Sequence, residues 1–227
     1  MKTFRELQEG LNDPNIFKAF FLAGGPGSGK SYVAKKTIGG SGLRTVNSDD
    51  AFEALLTKAG LSMKMPPEEE AERDVVRGRA KAVTKKRQDN YLEGRIGLII
   101  DGTGKDYDKI ARQSSALREL GYDTHMIFVN TSLDVALERN QKRDRTVPEP
   151  LVIKSWKEVQ ANIGKFQNLF RSNFIVVDNN DAQEDVLTSV FKEVRKMLNK
   201  KVTNIFANQW VEREMKRRGV TKKPKGF

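Results

Sequence analysis

The 227-residue chain has no cysteine and a single histidine, His125. The first absence excludes disulfides, thiolate nucleophiles and cysteine-based zinc sites. The second excludes a His-rich metal centre and any two-histidine mechanism. Long hydrophobic runs are missing too: no stretch approaches the ~20 apolar residues that span a bilayer. The opening MKTFRELQEGLNDPN is polar and has no signal-peptide h-region. The expectation is a cytoplasmic protein with no membrane partner. Acidic charge is short, with 30 Asp and Glu against 41 Lys and Arg, a net charge of +11. That balance draws anionic partners, phosphate-bearing substrates or nucleic acid, without specifying chemistry. It leaves the oligomeric state open.

What is present suffices for a full core. The chain is 37% hydrophobic, with 12 Phe and 2 Trp, and needs no staples at this length. Short apolar runs (AFFLAG, LRTVN, IGLIID, THMIFVN and NFIVVDN) alternate with helical patterns near residues 29–38, 49–60, 105–120, 131–143 and 182–200. Further helical stretches fall near 68–93 and 150–170. Strands separated by helices predict an α/β fold of three α/β/α layers, with a mostly parallel five-stranded sheet. The near-continuous apolar strands suit a sheet covered on both faces. Residues 1–202 are expected to form this domain, with a helical lid at about 139–150. Residues 203–227 read as a C-terminal helix, with Phe206 and Trp210 on one face, and a loose basic tail.

The stretch Gly24-Gly25-Pro26-Gly27-Ser28-Gly29-Lys30-Ser31 fits G-x-x-x-x-G-K-[ST], the Walker A P-loop. Its glycines let successive backbone N–H groups turn inward and cup a phosphate. Gly25, Pro26, Gly27, Ser28 and Gly29 are the expected cradle for ATP. Lys30 would lie along the β- and γ-phosphates, and Ser31 would be a ligand of Mg²⁺. The helix that starts here aims its positive dipole end at the same anion.

Carboxylates follow two other strands, where α/β sheets bind ligands. Asp49 in Asn47-Ser48-Asp49-Asp50 is a candidate general base for an attacking hydroxyl, and Ser48 or Asp49 is also a candidate helix cap. Asp101 at the end of GLIID is a candidate Walker B-type residue reaching Mg²⁺, or a strand-end Asp bonded to its own turn. Downstream, LERNQKRDRTVPEP carries Arg139, Lys142, Arg143 and Arg145 ahead of Pro148 and Pro150. Arg139 and Arg143, four apart, would share a helix face and clamp donor phosphates. The plain alternative is a solvated helix with Glu138 and Asp144 as partners. A second basic row, Arg73, Arg77, Lys81 and Lys85, faces either solvent or an acceptor phosphate, opposite a stripe of Val76, Ala80, Val83 and Tyr91. His125, Trp156, Phe166 and Phe170 read as packing residues. Asn130, Asn179 and Asn180 are candidate walls of a base pocket.

These elements, in order, resemble P-loop kinases of the polynucleotide 5′-kinase and zeta-toxin group from about Phe20 to Asn179. The features that carry the resemblance are the glycine loop, Asn47 to Asp50, Asp101, and Arg139-Asn140-Gln141-Lys142-Arg143 followed by Val147-Pro148. The resemblance implies an ATP- and Mg²⁺-dependent kinase with Asp49 as base, Asp101 at the active site, and Arg139 and Arg143 on the donor phosphates. Asp50 is followed by Ala51, Phe52 and Glu53, not by the arginine that polynucleotide kinases place there. A nucleic-acid 5′-hydroxyl and a nucleotide sugar both stay open as acceptors. The rival readings are a nucleic-acid-binding P-loop ATPase without an acceptor, resting on the +11 charge and basic tail, and a switch-type NTPase.

Overall fold

The structure is a computed structural model, and it describes residues 10–64, 66–143, 146–181 and 184–227. Five strands, β1 (Lys18–Ala23), β2 (Arg44–Val46), β3 (Leu98–Asp101), β4 (Asp123–Asn130) and β5 (Phe174–Asp178), form one sheet in the order β2-β3-β1-β4-β5. Every pairing is parallel. Strand period decides which face each residue covers. Phe21, Ile100, Met126 and Phe128 face one core, and Phe20, Leu22, Ile127 and Val129 face the other. Both faces of β1, β3 and β4 are buried, which is why these strands read as unbroken apolar runs, whereas the edge strand β5 leaves Val176 47% exposed.

Helices α1 (Lys30–Thr37) and α8 (Glu184–Asn199) pack together and cover one face. The other lies under α4 (Tyr107–Glu119), α7 (Ile163–Phe170) and α9 (Ile205–Arg218). Helices α2 (Ser48–Ala59) and α3 (Glu70–Glu93) make a small satellite core of Phe52, Leu56, Val76 and Ala80. Helices α5 (Leu133–Gln141) and α6 (Glu149–Gln160) complete the chain order between β4 and α7.

Several expectations are corrected. The single helix expected over 150–170 is two, because buried Asn162 breaks it and donates its side-chain amide to the carbonyls of Gly104 and Lys105 at 3.1 and 2.9 Å. Val83, assigned to the apolar stripe of α3, is 47% exposed, since the satellite core ends at Ala80. Phe206 is exposed as well, because α9 buries Ala207 and Val211 instead. The terminal segment is not loose. Val202 N–H donates to the Gly226 carbonyl at 2.9 Å, Pro224 is buried, and the Phe227 ring lies edge-on to Phe17 at 5.9 Å. Trp210 meets the same Phe17 ring at 5.5 Å, so α9 and the tail share the core beneath β1.

Candidate active site

The glycine loop leaves the carboxyl end of β1 at the centre of the sheet. Gly27 has φ +77°, and a Cβ there would strike the carbonyl oxygen of Ala136 on α5. Gly29, at φ +81°, precedes α1 and lies against the Asn179 amide. Neither position admits an L side chain without strain. Asn179 Nδ2 donates to the Ser28 carbonyl at 2.7 Å, bracing the loop from behind. Asn179 is therefore buried support for the loop rather than an open pocket wall. Gly25 passes beneath the backbone of Trp156 on α6, whose indole N–H donates to the Thr131 carbonyl at 2.8 Å.

Lys30 Nζ donates to the Gly24 carbonyl at 2.8 Å, folded back along its own loop. Burial lowers its pKa, Asp101 and Asp49 pull it up again, and Arg143 pushes it down. Ser31 follows on the exposed first turn of α1. The loop thus presents backbone amides, one ammonium and one hydroxyl at the same place.

Strand register brings the carboxylates in. Leu22 pairs with Asp101, and Val46 pairs with Ile100, so Asn47 leaves β2 level with Asp101. Asn47 Nδ2 donates to Asp101 Oδ2 at 3.0 Å, and its Oδ1 accepts the Asp49 N–H at 2.8 Å. The cap of α2 is therefore Asn47, one residue before Ser48 and two before Asp49, the expected caps. Asp101 Oδ1 is buried without a protein partner. Burial raises the Asp101 pKa, Lys30 opposes that rise, and Asp49 and Asp50 add to it. An orphaned, buried carboxylate oxygen beside the glycine loop suits a hard cation that keeps most of its waters, as Mg²⁺ does. Among the described residues no cluster of three carboxylate or imidazole groups is available for a more enclosed metal site.

Asp49 is half-exposed on the first turn of α2, with Arg77 of α3 at 3.9 Å from its carboxylate. The Arg77 guanidinium also lies 3.9 Å from the Phe52 ring centre. Of the basic row on α3, Arg77, Lys81 and Lys85 face the cleft, whereas Arg73 donates to the Pro66 carbonyl at 2.9 Å. Neither the bridging role of Asn47 nor the Arg77–Asp49 pair was read from the sequence. The Asn cap signal was present in NSDD, whereas the Arg77 pair joins two helices and leaves no local trace.

The lid divides into two parts. Arg139 donates to the carbonyls of Asn179 at 2.7 Å and Asn180 at 2.9 Å, beside the glycine loop. Arg143 lies beyond the end of α5, exposed, so the two arginines do not share a helix face. Asn140 exchanges two hydrogen bonds with the Val147 backbone, at 2.7 and 3.0 Å, closing the loop between them. Lys142 pairs with Glu138 in solvent. Asp144 and Arg145 lie outside the described residues. Asn130 accepts from Gln160, and Asn180 accepts from the Ser132 N–H. His125 is buried in β4 and stacked on Phe20 at 4.6 Å.

A family model described as an AAA domain matches residues 20–166, which include the glycine loop, both carboxylates and the lid. The chain belongs to the AAA domain family. Three solved structures show how this family member folds. One is a provisionally assigned kinase from Chloroflexus aurantiacus, with 16% identity and a TM-score of 0.56 over 81% of this chain and 97% of that one. A chain of the AvrRxo1-ORF1:AvrRxo1-ORF2 complex gives 15% identity and 0.56, over 79% of this chain and 63% of that one. A chain of the Pnkp1/Rnl/Hen1 RNA repair complex gives 20% and 0.52, over 67% of this chain and 47% of that one. At such identities the likeness is one of fold, that of P-loop kinases. No match is found among curated proteins.

Proposed function

We propose that the protein is an ATP- and Mg²⁺-dependent kinase that moves the γ-phosphoryl group to a hydroxyl acceptor. The observation that carries this reading is the placement of the two strand ends: Asp101 leaves β3 beside the glycine loop of β1, and Asn47 at the end of β2 bonds both Asp101 and the Asp49 N–H. A loop that cups phosphate and a carboxylate that takes a proton then border one point. Two neighbours in fold add support: an AvrRxo1 complex was determined with ATP, and another neighbour belongs to an RNA repair complex.

In the reaction the acceptor O–H gives its proton to Asp49. The freed oxygen forms a bond to the γ-phosphorus while the bond to the β-γ bridging oxygen breaks, and ADP leaves with that electron pair. Lys30 and the amides of residues 25–31 neutralise charge on the phosphoryl oxygens. Lys30 reaches them by exchanging the Gly24 carbonyl for a phosphate oxygen. Ser31 and Asp101 would hold Mg²⁺, which supplies charge neutralisation on the β- and γ-oxygens. Arg143, free of the helix end, swings toward the donor phosphates, and Arg139 orders the loop that walls the donor side. The acceptors in view are a nucleic-acid 5′-hydroxyl and a nucleotide-sugar-like molecule.

The test is transfer of label from γ-labelled ATP to candidate acceptors. Lys30→Ala loses turnover. Asp49→Asn keeps ATP binding and loses transfer by about 10²–10⁴-fold, the usual share of a general base. Full transfer by Asp49→Asn removes Asp49 from that role. Hydrolysis of ATP without any acceptor favours the nucleic-acid-binding ATPase instead.

A further inference from the structure

A cavity of about 330 Å³ opens beside the carboxylates, on the side of β1 away from the lid. Asp101 and Ser48 line it together with the apolar residues Phe21, Val46 and Ile100. Lys81 and Lys85 of α3 approach from one side, and Lys105 and Lys109 from the β3–α4 turn and the start of α4. Among the described residues, none of these lysines is in a side-chain ion pair. Asp106, the other carboxylate that lines the cavity, accepts the Lys109 N–H at 2.9 Å and caps α4.

We propose that this cavity binds a phosphomonoester that carries a free hydroxyl, a sugar phosphate or mononucleotide in size, as the phosphate acceptor. The hydroxyl part of this proposal rests on the kinase reading; the anion site does not. Four ammonium groups around one small space repel each other, and a dianion relieves that repulsion. Lysine serves phosphate as a mobile point charge with three donors. The amino-terminal end of α4 adds its partial positive charge to the same wall. A neutral sugar has no use for such a field. The volume is at the small end of the roughly 300–1,000 Å³ typical of ligand pockets. Phe21 is the one aromatic among the described residues that line it, and it is buried, so no open ring offers the stacking platform that single-stranded nucleic acid uses. With its phosphate on the lysines, the acceptor turns its hydroxyl toward Asp101 and Asp49, where the proton leaves and the new O–P bond forms.

Two doubly substituted proteins test this, Lys81→Gln with Lys85→Gln and Lys105→Gln with Lys109→Gln. All four residues are exposed, and thermal unfolding checks that the variants fold. Lys196→Gln on α8, across the sheet, is the control. Amide resonances are followed without ATP while 3′-AMP, glucose 6-phosphate or inorganic phosphate is added. Amides of residues 81–88 and 102–109 are expected to shift saturably, with affinity about 10-fold weaker in each double variant and unchanged in the control. Shifts confined to residues 24–31 overturn the anion site.

Transfer from γ-labelled ATP is then compared among these phosphomonoesters, glucose and a 5′-hydroxyl oligonucleotide. The expected result is a KM for the phosphomonoester raised about 10-fold in the double variants while the KM for ATP holds. Glucose or the oligonucleotide as the better acceptor, indifferent to the lysines, overturns the proposal and leaves the kinase standing. Shifts at 102–109 with no ATP binding and no transfer leave the anion site standing and end the kinase reading.

Discussion

Asn47 ties two strand ends together: one side-chain amide holds Asp101 at 3.0 Å and starts α2 by accepting the Asp49 N–H at 2.8 Å. Helix capping and carboxylate placement are thus one structural act. Asn47→Ala is expected to cost about 1–2 kcal/mol, the usual range for a lost cap plus a hydrogen bond. Asn47→Asp keeps the cap but sets a carboxylate against Asp101. Chemical unfolding is expected to show a loss of stability for Asn47→Asp too, because a repelling carboxylate replaces the donor to Asp101, and phosphoryl transfer falls in both variants. A transfer-competent Asn47→Asp protein contradicts the proposed working pair.

His125 makes a pH prediction. Burial, with Lys18, Lys200 and Arg118 adding to it, lowers its pKa from 6.5 to about 3. The unfolded chain binds this proton more readily than the folded one, so stability rises with pH through that window. The contribution is present above about 6.5 and is lost as pH falls toward about 3. Both ring nitrogens are buried without partners. His125→Phe, which keeps a ring against Phe20, is expected to flatten the loss of stability between pH 6.5 and 3 without lowering stability at neutral pH. Thermal unfolding across that range reads it.

Gly27→Ala carries a double penalty, a left-handed φ of +77° and a Cβ driven into the Ala136 carbonyl. Backbone strain of this kind costs on the order of 1–3 kcal/mol. The affinity for ATP, measured by calorimetry, is expected to fall by at least about 10-fold as the loop widens.

Phe227→Ala removes the aromatic that closes over Phe17. A partly buried ring truncated this way costs about 2–3 kcal/mol, somewhat below a full core position. Because the aromatic group lies beneath β1 and away from the carboxyl ends of the strands, the melting temperature should drop while the KM for ATP is unchanged.

Much of this fold was legible because local pattern and period decided it. Five apolar runs matched five strands, and the glycine loop sat between a strand and a helix where its spacing required. What escaped the sequence was set by contacts distant along the chain. The tail reads as basic and loose until Phe227 finds Phe17 and Val202 finds Gly226. Arg77 reads as one of a charged row until α3 folds against α2 and sets it near Asp49. Asn179 reads as a loop residue until its amide meets Ser28, across 151 positions. Residue type announces that a side chain can bond; only the packed sheet decides with what.

Because β1 stands in the middle of the sheet, its glycine loop is a watershed. On one bank lie β4, β5 and the arginine segment; on the other lie β2, β3 and the lysine-flanked hollow. On the kinase reading, substitutions at the exposed lysines of α3 and α4 are expected to retune what is modified, whereas the turn after β3 is bound to the donor side, since the Thr103 carbonyl accepts the Gly24 N–H at 2.9 Å. A designer seeking a new specificity would rewrite the lysine rim and leave Asn47, Asp49 and Asp101, which stand on the same bank, alone.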